Sequence, residues 1–257
     1  MAFVDYEIAD GIARLTLARP DKRNAMCDAM LADLAACVDR AAEEAQAVVL
    51  AGAGDHFCAG LDLAEQSERT PVESIEGSRG WHWVFQRIRS SRIPYFAALH
   101  GGVIGGGLEL AAVAHVRVAD STAFFALPEG QRGIFVGGGG SVNVSRLMSV
   151  ARMMDLMLTG RVLDAEEAER CDIVTYVTEP GGAVEKATEL AKRASANAPL
   201  SNYAIINALP RIRDSGYDEG LFFESMIAAF TQSTPEAHAR LRAFLDKRAA
   251  RVAAPAK

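Results

Sequence analysis

The stretch Gly101-Gly102-Val103-Ile104-Gly105-Gly106-Gly107-Leu108-Glu109 sets three consecutive glycines directly before a lone acid, right after the apolar run Tyr95-Phe96-Ala97-Ala98-Leu99. The apolar run reads as a buried strand, which puts the glycines at a strand-to-helix turn. Without side chains they let the backbone come close to a ligand, and the first N–H groups of the following helix lack intrahelical partners and can hold an anion. Glu109 falls on the first turn of that helix among Leu108, Leu110, Ala111, Ala112 and Val113. An ionised carboxylate there is costly unless it has a partner or a task. Two readings follow: an anion satisfied by the helix dipole, or an acid/base group beside an oxyanion site.

Upstream, Val4–Ala9 and Ile12–Leu17 are strand-like runs joined by Asp10-Gly11, a favourable hairpin turn. Apolar residues at helical spacing over Asp28–Ala45 precede a buried strand at Ala47–Leu50. A helix over Trp81–Arg92, the strand Tyr95–Leu99, a helix over Leu108–His115 and a strand over Val116–Ala119 continue the pattern. This alternation predicts an α/β fold with a largely parallel sheet. Thr70–Gly80, with Pro71, Gly77 and several charges, reads as a mobile loop. After Gly137–Gly140 helices dominate, at Ser141–Leu147, Ala151–Leu158 and Ala165–Arg170, with one strand at Ile173–Val177 and a long helix over Ala183–Ala198. Beyond Pro199 only helices are expected, so the domains read as an α/β core over 1–199 and a helical region over 200–257.

The 257 residues suffice for one large core plus a smaller appendage. An excess of 33 acidic over 27 basic residues argues against a nucleic-acid surface. No apolar run is long enough to span a bilayer. Met1-Ala2-Phe3-Val4-Asp5 lacks the basic start and apolar stretch of a signal peptide, so a cytoplasmic location is expected. Cys27, Cys37, Cys58 and Cys171 form no CxxC pair and read as reduced thiols. The five histidines show no metal-ligand spacing, and no metal site is expected. No GxGxxG follows a strand, and neither a GxSxG elbow nor a GxxxxGK[ST] loop is present, which sets aside dinucleotide oxidoreductases, serine hydrolases and P-loop enzymes.

Two further segments share the character of the first. Gly52-Ala53-Gly54-Asp55-His56-Phe57-Cys58-Ala59-Gly60-Leu61-Asp62-Leu63 also places small residues after a strand. It serves either as a tight turn or as the source of a second N–H donor, since an oxyanion hole needs two donors converging on one oxygen. Phe124-Phe125-Ala126-Leu127-Pro128-Glu129-Gly130 presents a second acid after an apolar run. Glu129 alone reads as a solvated loop residue; paired with Glu109 it suits a reaction that both removes and delivers a proton. The separation of 20 residues does not itself bring the two together.

With Arg19-Pro20-Asp21-Lys22-Arg23-Asn24-Ala25, Leu158-Thr159-Gly160-Arg161 and Phe244-Leu245-Asp246-Lys247-Arg248, these segments resemble, in order and spacing over nearly the whole chain, the crotonase (enoyl-CoA hydratase/isomerase) superfamily. The resemblance implies a repeated ββα spiral core with a helical C-terminal trimerisation region. It implies that the N–H groups of Ala59 and Gly106 hold the thioester oxygen of an acyl-CoA. It places Glu109 and Glu129 where hydratases carry two catalytic glutamates, Glu109 deprotonating a water and Glu129 protonating Cα. It further implies CoA contacts at Lys22, Arg23 and Ala25, at His56, Ala59, Gly60, Leu61 and Asp62, and at Phe244 and Lys247, the last pair reaching a neighbouring subunit's nucleotide.

Coenzyme A would be part of the substrate and no separate cofactor is expected. The expected assembly is a homotrimer or homohexamer. Gly133-Ile134-Phe135-Val136-Gly137-Gly138-Gly139-Gly140 departs from the common Pro-Gly-x-Gly-Gly turn and so alters the acyl pocket rather than the acids. Trp81-His82-Trp83 together with Leu127–Val136 is similar to the methylthioacryloyl-CoA hydratase branch, which also cleaves the thioester after hydration. A Δ3-Δ2-enoyl-CoA isomerase and a non-catalytic acyl-CoA-binding protein are the alternatives.

Overall fold

Successive side chains of the central strands point to opposite faces of the main sheet. A computed structural model describes residues 2–66, 69–246 and 248. In it β1 (Val4–Ala9), β2 (Ile12–Leu17), β3 (Ala47–Gly52), β4 (Tyr95–Leu99), β6 (Val116–Asp120) and β9 (Tyr176–Thr178) form a six-stranded sheet in the order β1-β2-β3-β4-β6-β9. β1 and β2 are the expected hairpin, with Asp10 and Gly11 both at positive φ, and every other pairing is parallel. Val48, Leu50, Tyr95, Ala97 and Leu99 face the larger core. Their neighbours Val49, Ala51, Phe96 and Ala98 face a second cluster containing Ala187, Leu190 and Ala191 of the Ala183–Ser195 helix. With both faces covered, β3 and β4 are apolar throughout, as parallel strands require.

A smaller sheet, which no sequence period announces, positions the site. β5 (Gly102–Ile104), β7 (Phe124–Ala126) and β8 (Leu163–Asp164) run in the order β5-β7-β8. Cys58 joins it by a parallel bridge to Val103. Strands therefore come in pairs, one in each sheet, and a helix follows each pair: β3 with Cys58 leads to the Pro71–Arg89 helix, and β4 with β5 to the Gly106–Val113 helix. This is the repeated ββα core that the sequence resemblance implies. Gly102-Val103-Ile104, which looks like part of a turn, is a three-residue strand too short to show a period.

The expected loop over Thr70–Gly80 is instead helix, and the correction has a local cause. Thr70 accepts the Glu73 N–H while the Glu73 carboxylate accepts the Thr70 N–H, and Pro71 occupies the first helical position. Pro71 starts the helix here rather than breaking it, and Gly77 and Gly80 lie inside a 19-residue element.

The chain divides into two compact units, Met1–Ala196 and Asn197–Lys257. Within the second, the described elements are the helices Pro199–Asn207, Leu209–Asp214, Tyr217–Gln232 and Pro235–Leu245. Phe222, Phe223, Met226 and Phe230 on the third of these are all exposed.

Candidate active site

Register explains how two acids 20 residues apart meet. β5 and β7 are parallel, with Ile104 paired to Ala126, and the ladder continues as the Gly105 N–H donates to the Ala126 carbonyl at 2.9 Å. Both chains leave the small sheet in one direction. One turns into the helix that carries Glu109 and the other into the turn that carries Glu129. A Cβ on Gly105 would lie 2.7 Å from Glu129 Oε1, so the glycine leaves room for that carboxylate. Gly105 has φ +53°, a conformation that glycine adopts without strain.

Glu109 is 3 % exposed, and its Oε1 accepts the N–H groups of Gly138 at 2.9 Å and Gly140 at 2.7 Å. Burial pushes its carboxyl up to about 7; Glu129 adds to this, while the N–H groups of Gly140, Gly138 and Gly137 oppose it. Glu129 is 5 % exposed, and its Oε2 is buried without a hydrogen-bond partner. Burial raises its pKa as well, against the pull of its own backbone N–H and of Arg132. Burial thus favours the neutral acid at both carboxyls and leaves Glu109 poised near neutrality.

Beside the pair stand two N–H groups that have no acceptor among the described residues, those of Leu61 and Gly106. The approach is close: a Cβ on Gly106 would lie 3.4 Å from Leu61 N, and one on Gly60 would lie 3.0 Å from Gly106 N. Ala59, the expected donor, is not the partner. Its N–H donates to the Arg23 carbonyl at 2.9 Å, so it is spent on holding the loop. Gly60, at φ +92°, reverses the chain between the two residues and leaves the next N–H, that of Leu61, unpaired. The usable signal in the sequence was Gly60 itself, since a glycine in a left-handed conformation redirects the amide that follows it.

Loop 52–62 is held by Asn24 and Arg19 together with His56 and Asp62, two of the expected CoA contacts. Buried Asn24 donates through Nδ2 to the carbonyls of Ala53 at 2.9 Å, His56 at 2.8 Å and Phe57 at 3.2 Å, and its Oδ1 accepts the Arg19 N–H at 2.9 Å. Asp62 forms an ion pair with Arg19 at 2.7 Å, which holds its carboxyl below the usual range, and Arg19 also donates to the Ala25 carbonyl at 3.0 Å. His56 Nδ1 accepts the Gly102 N–H at 2.9 Å. The side chains of His56 and Asp62 therefore work as anchors. Cys58 Sγ donates to the Asn24 carbonyl at 3.1 Å, and burial pushes its thiol up to about 12, leaving it inert.

Lys22 and Arg23 are exposed, while Ala25 and Leu61 are half-buried. Phe244 is exposed on the last described helix of the second unit, and Lys247 lies outside the described residues.

A cavity of about 270 Å³ opens at Glu109, lined also by Leu61, Leu63, Arg69, Ser74, Gly77, Ser78, Trp81, Ile134, Phe135, Gly137 and Gly138. Ser74, Gly77, Ser78 and Trp81 recur at helical spacing, so one face of the helix that reads as a loop is a cavity wall. Ser78 Oγ donates to the Gly137 carbonyl at 2.6 Å, tying that wall to the glycine turn that holds Glu109. Arg69 is ion-paired with Asp28, so its charge is already compensated.

Comparison with known proteins bears on this arrangement. A family model described as enoyl-CoA hydratase/isomerase matches residues 7–253. The chain is 32% identical over 240 residues to an enoyl-CoA hydratase of Mycobacterium tuberculosis, covering 91% of this chain and 90% of the other. It is 31% identical over 236 residues to a 2,3-dehydroadipyl-CoA hydratase of Escherichia coli, covering 91% and 92%. A crystal structure of a putative enoyl-CoA hydratase from Rhodopseudomonas palustris superposes with a TM-score of 0.93 at 49% identity, covering 96% and 95%.

Proposed function

Because the chain belongs to the enoyl-CoA hydratase/isomerase family, we propose that it adds water across the 2,3 double bond of a 2-enoyl-CoA thioester through an enolate held by the N–H groups of Leu61 and Gly106. It is an enoyl-CoA hydratase, as are its named relatives over nearly their full length. The observation that carries the mechanism is the pair of buried carboxylates, close enough for Glu129 to raise the pKa of Glu109. An isomerase needs one well-placed base; two acids suit addition of water.

In the proposed reaction the Glu109 carboxylate takes a proton from water as the water oxygen bonds to Cβ. The π electrons move onto the thioester oxygen, where two N–H donors stabilise the developing charge. The enolate then collapses, and Cα takes the proton of the Glu129 carboxylic acid. Proton transfer from Glu109 back to Glu129 resets the pair. The buried, unpartnered Glu129 Oε2 supports the donor role, since desolvation favours the neutral acid. Exposed Lys22 and Arg23 are proposed to meet the CoA phosphates, and no separate cofactor takes part.

We propose methylthioacryloyl-CoA as a substrate, with thioester hydrolysis after hydration, on the strength of Trp81-His82-Trp83 and the Leu127–Val136 segment. We also propose that the exposed apolar face of Tyr217–Gln232 is covered in a homotrimer or homohexamer, as the row Phe222, Phe223, Met226 and Phe230 suggests. Among the described residues no helix is long and apolar enough to cross a membrane; a cytoplasmic location is part of the proposal.

One experiment tests the chemistry. Purified protein is given crotonyl-CoA, methylthioacryloyl-CoA and a 3-enoyl-CoA, with loss of the conjugated double bond and release of free CoA followed separately. Hydration that drops by orders of magnitude in Glu109→Ala and Glu129→Ala is expected; full activity in both variants overturns the reading. Activity on the 3-enoyl-CoA that survives loss of Glu109 makes the enzyme an isomerase. Light scattering after size exclusion decides the assembly.

A further inference from the structure

Trp81 touches both glycine turns of the site. A Cβ on Gly106 would lie 2.7 Å from Trp81 Cζ3 and 2.8 Å from Cη2, and a Cβ on Gly138 would lie 2.8 Å from Cε3. The benzo edge of the indole thus runs from the helix start that carries one oxyanion donor to the turn that holds Glu109. Both glycines lack a side chain where the indole sits. Phe85 fixes the ring by an edge contact with centroids 5.4 Å apart and planes at 64°. The side chain is 5 % exposed, yet it lines the cavity rather than lying wholly inside the core.

This edge occupies a particular place along the substrate. With the thioester oxygen on the N–H groups of Leu61 and Gly106, and C3 within reach of water held by Glu109, the C1-to-C3 segment must run alongside Trp81. Atoms beyond C4 must then pass the indole toward an apolar lip formed by Leu63, Ile134 and Phe135, all exposed. We propose that Trp81 is the specificity-determining residue of this hydratase, restricting it to short acyl groups, up to the five-atom chain of a methylthioacryloyl group, by blocking longer chains. The inference rests on the hydratase reading above, and it predicts which members of the 2-enoyl-CoA class are excluded and by which side chain.

Two measurements test it. Wild-type, Trp81→Phe, Trp81→Leu and Trp81→Ala proteins are assayed on trans-2-enoyl-CoA thioesters from crotonyl to decenoyl. Each added methylene in an apolar pocket is worth roughly tenfold or more in kcat/KM when the pocket rejects it. The decenoyl-to-crotonyl ratio of kcat/KM is therefore expected to rise by at least about tenfold on truncating the indole, with the change carried by KM for the long substrate. A ratio that stays constant across the folded variants overturns the proposal. Failure of wild-type protein to hydrate any of these thioesters instead overturns the hydratase reading, so the two failures are distinguishable.

The second measurement needs no truncation of Trp81. The chain has two tryptophans, and Trp83 is exposed with Arg87 stacked on it at 4.3 Å. In Trp83→Phe protein, Trp81 is the sole tryptophan. Titration with butyryl-CoA, which cannot react, is expected to change its emission, whereas free CoA leaves it unaltered. Identical responses to both ligands, or no response to either while butyryl-CoA inhibits turnover, overturn the contact.

Discussion

Glu109 Oε1 accepts the Gly140 N–H at 2.7 Å, and a Cβ on Gly140 would stand 2.7 Å from that same oxygen. The carboxylate is held by a turn that has no room for a side chain. Gly140→Ala is therefore expected to displace the proposed base and lower kcat by about 10²-fold, the cost of a displacement of about 1 Å at a reacting group. Steady-state kinetics on crotonyl-CoA, with circular dichroism to show the fold intact, checks this. Unchanged kcat would mean that this hydrogen bond does not set the geometry of Glu109.

In the proposed reaction Glu109 must be ionised to accept a proton from water, and burial pushes its carboxyl up to about 7. The acid limb of kcat/KM against pH is expected to bend near neutrality, with activity falling tenfold per pH unit below the bend. A pH series on crotonyl-CoA reads this limb. A flat profile from pH 5 to 8 would remove Glu109 from the role of base.

The same burial has a cost in stability. Because the folded pKa of Glu109 is raised from 4.5 to about 7, the native state binds more protons than the unfolded chain between those values. The free energy of unfolding thus falls as pH rises through that window. Glu109→Gln keeps a carbonyl oxygen for the N–H groups of Gly138 and Gly140 and removes the charge. It is expected to stabilise the fold at pH 8 by at most about 3 kcal/mol, and to leave it unchanged at pH 4. Thermal melts at both pH values test the sign, and destabilisation at pH 8 would contradict it.

Long apolar and amphipathic elements were legible in the sequence because their period is carried by many residues. The hairpin over Val4–Leu17 and the buried strands at Ala47 and Tyr95 appear within two residues of their expected bounds. Three-residue β5 and β7 offer no period, so the small sheet that brings Glu109 and Glu129 together was invisible. Pro71 and Gly77 read as breakers because composition does not show that Thr70 and Glu73 close a capping box around them. The proposed oxyanion donor lies two residues from the expected one for a similar reason. Motif likeness marks the loop, but whether the N–H of Ala59 or of Leu61 is unpaired depends on the Arg23 carbonyl, supplied from far away in the chain.

Gly60 separates those two amides, and its φ of +92° admits no side chain without strain. A Cβ there would also lie 2.7 Å from the Ile104 carbonyl and 3.0 Å from Gly106 N. Gly60→Ala is expected to turn the Leu61 N–H away from Gly106 and cost about 10²–10³ in kcat, the range for loss of one oxyanion donor. The comparison of kcat with KM on crotonyl-CoA is decisive. A rise in KM alone would mean that the two N–H groups bind the ground state and the transition state equally.

Asn24 couples the 19–25 segment to loop 52–62, and its replacement tests how much of the site is built by one side chain. It sits at φ 55°, where asparagine is tolerated better than alanine, and it serves three carbonyls of loop 52–62 while accepting the Arg19 N–H. Asn24→Ala leaves those buried groups without their partner, an expected loss of roughly 3–5 kcal/mol. Asn24→Asp keeps the acceptor but turns the donor into a second acceptor facing three carbonyl oxygens, so it should be no better than alanine at neutral pH. Denaturant unfolding ranks the three proteins. Because Arg23 accepts the Ala59 N–H across the same seam, loosening it should also raise KM for crotonyl-CoA more than it lowers kcat. A variant with full stability, or one that loses kcat with KM unchanged, would separate Asn24 from the loop it is argued to hold.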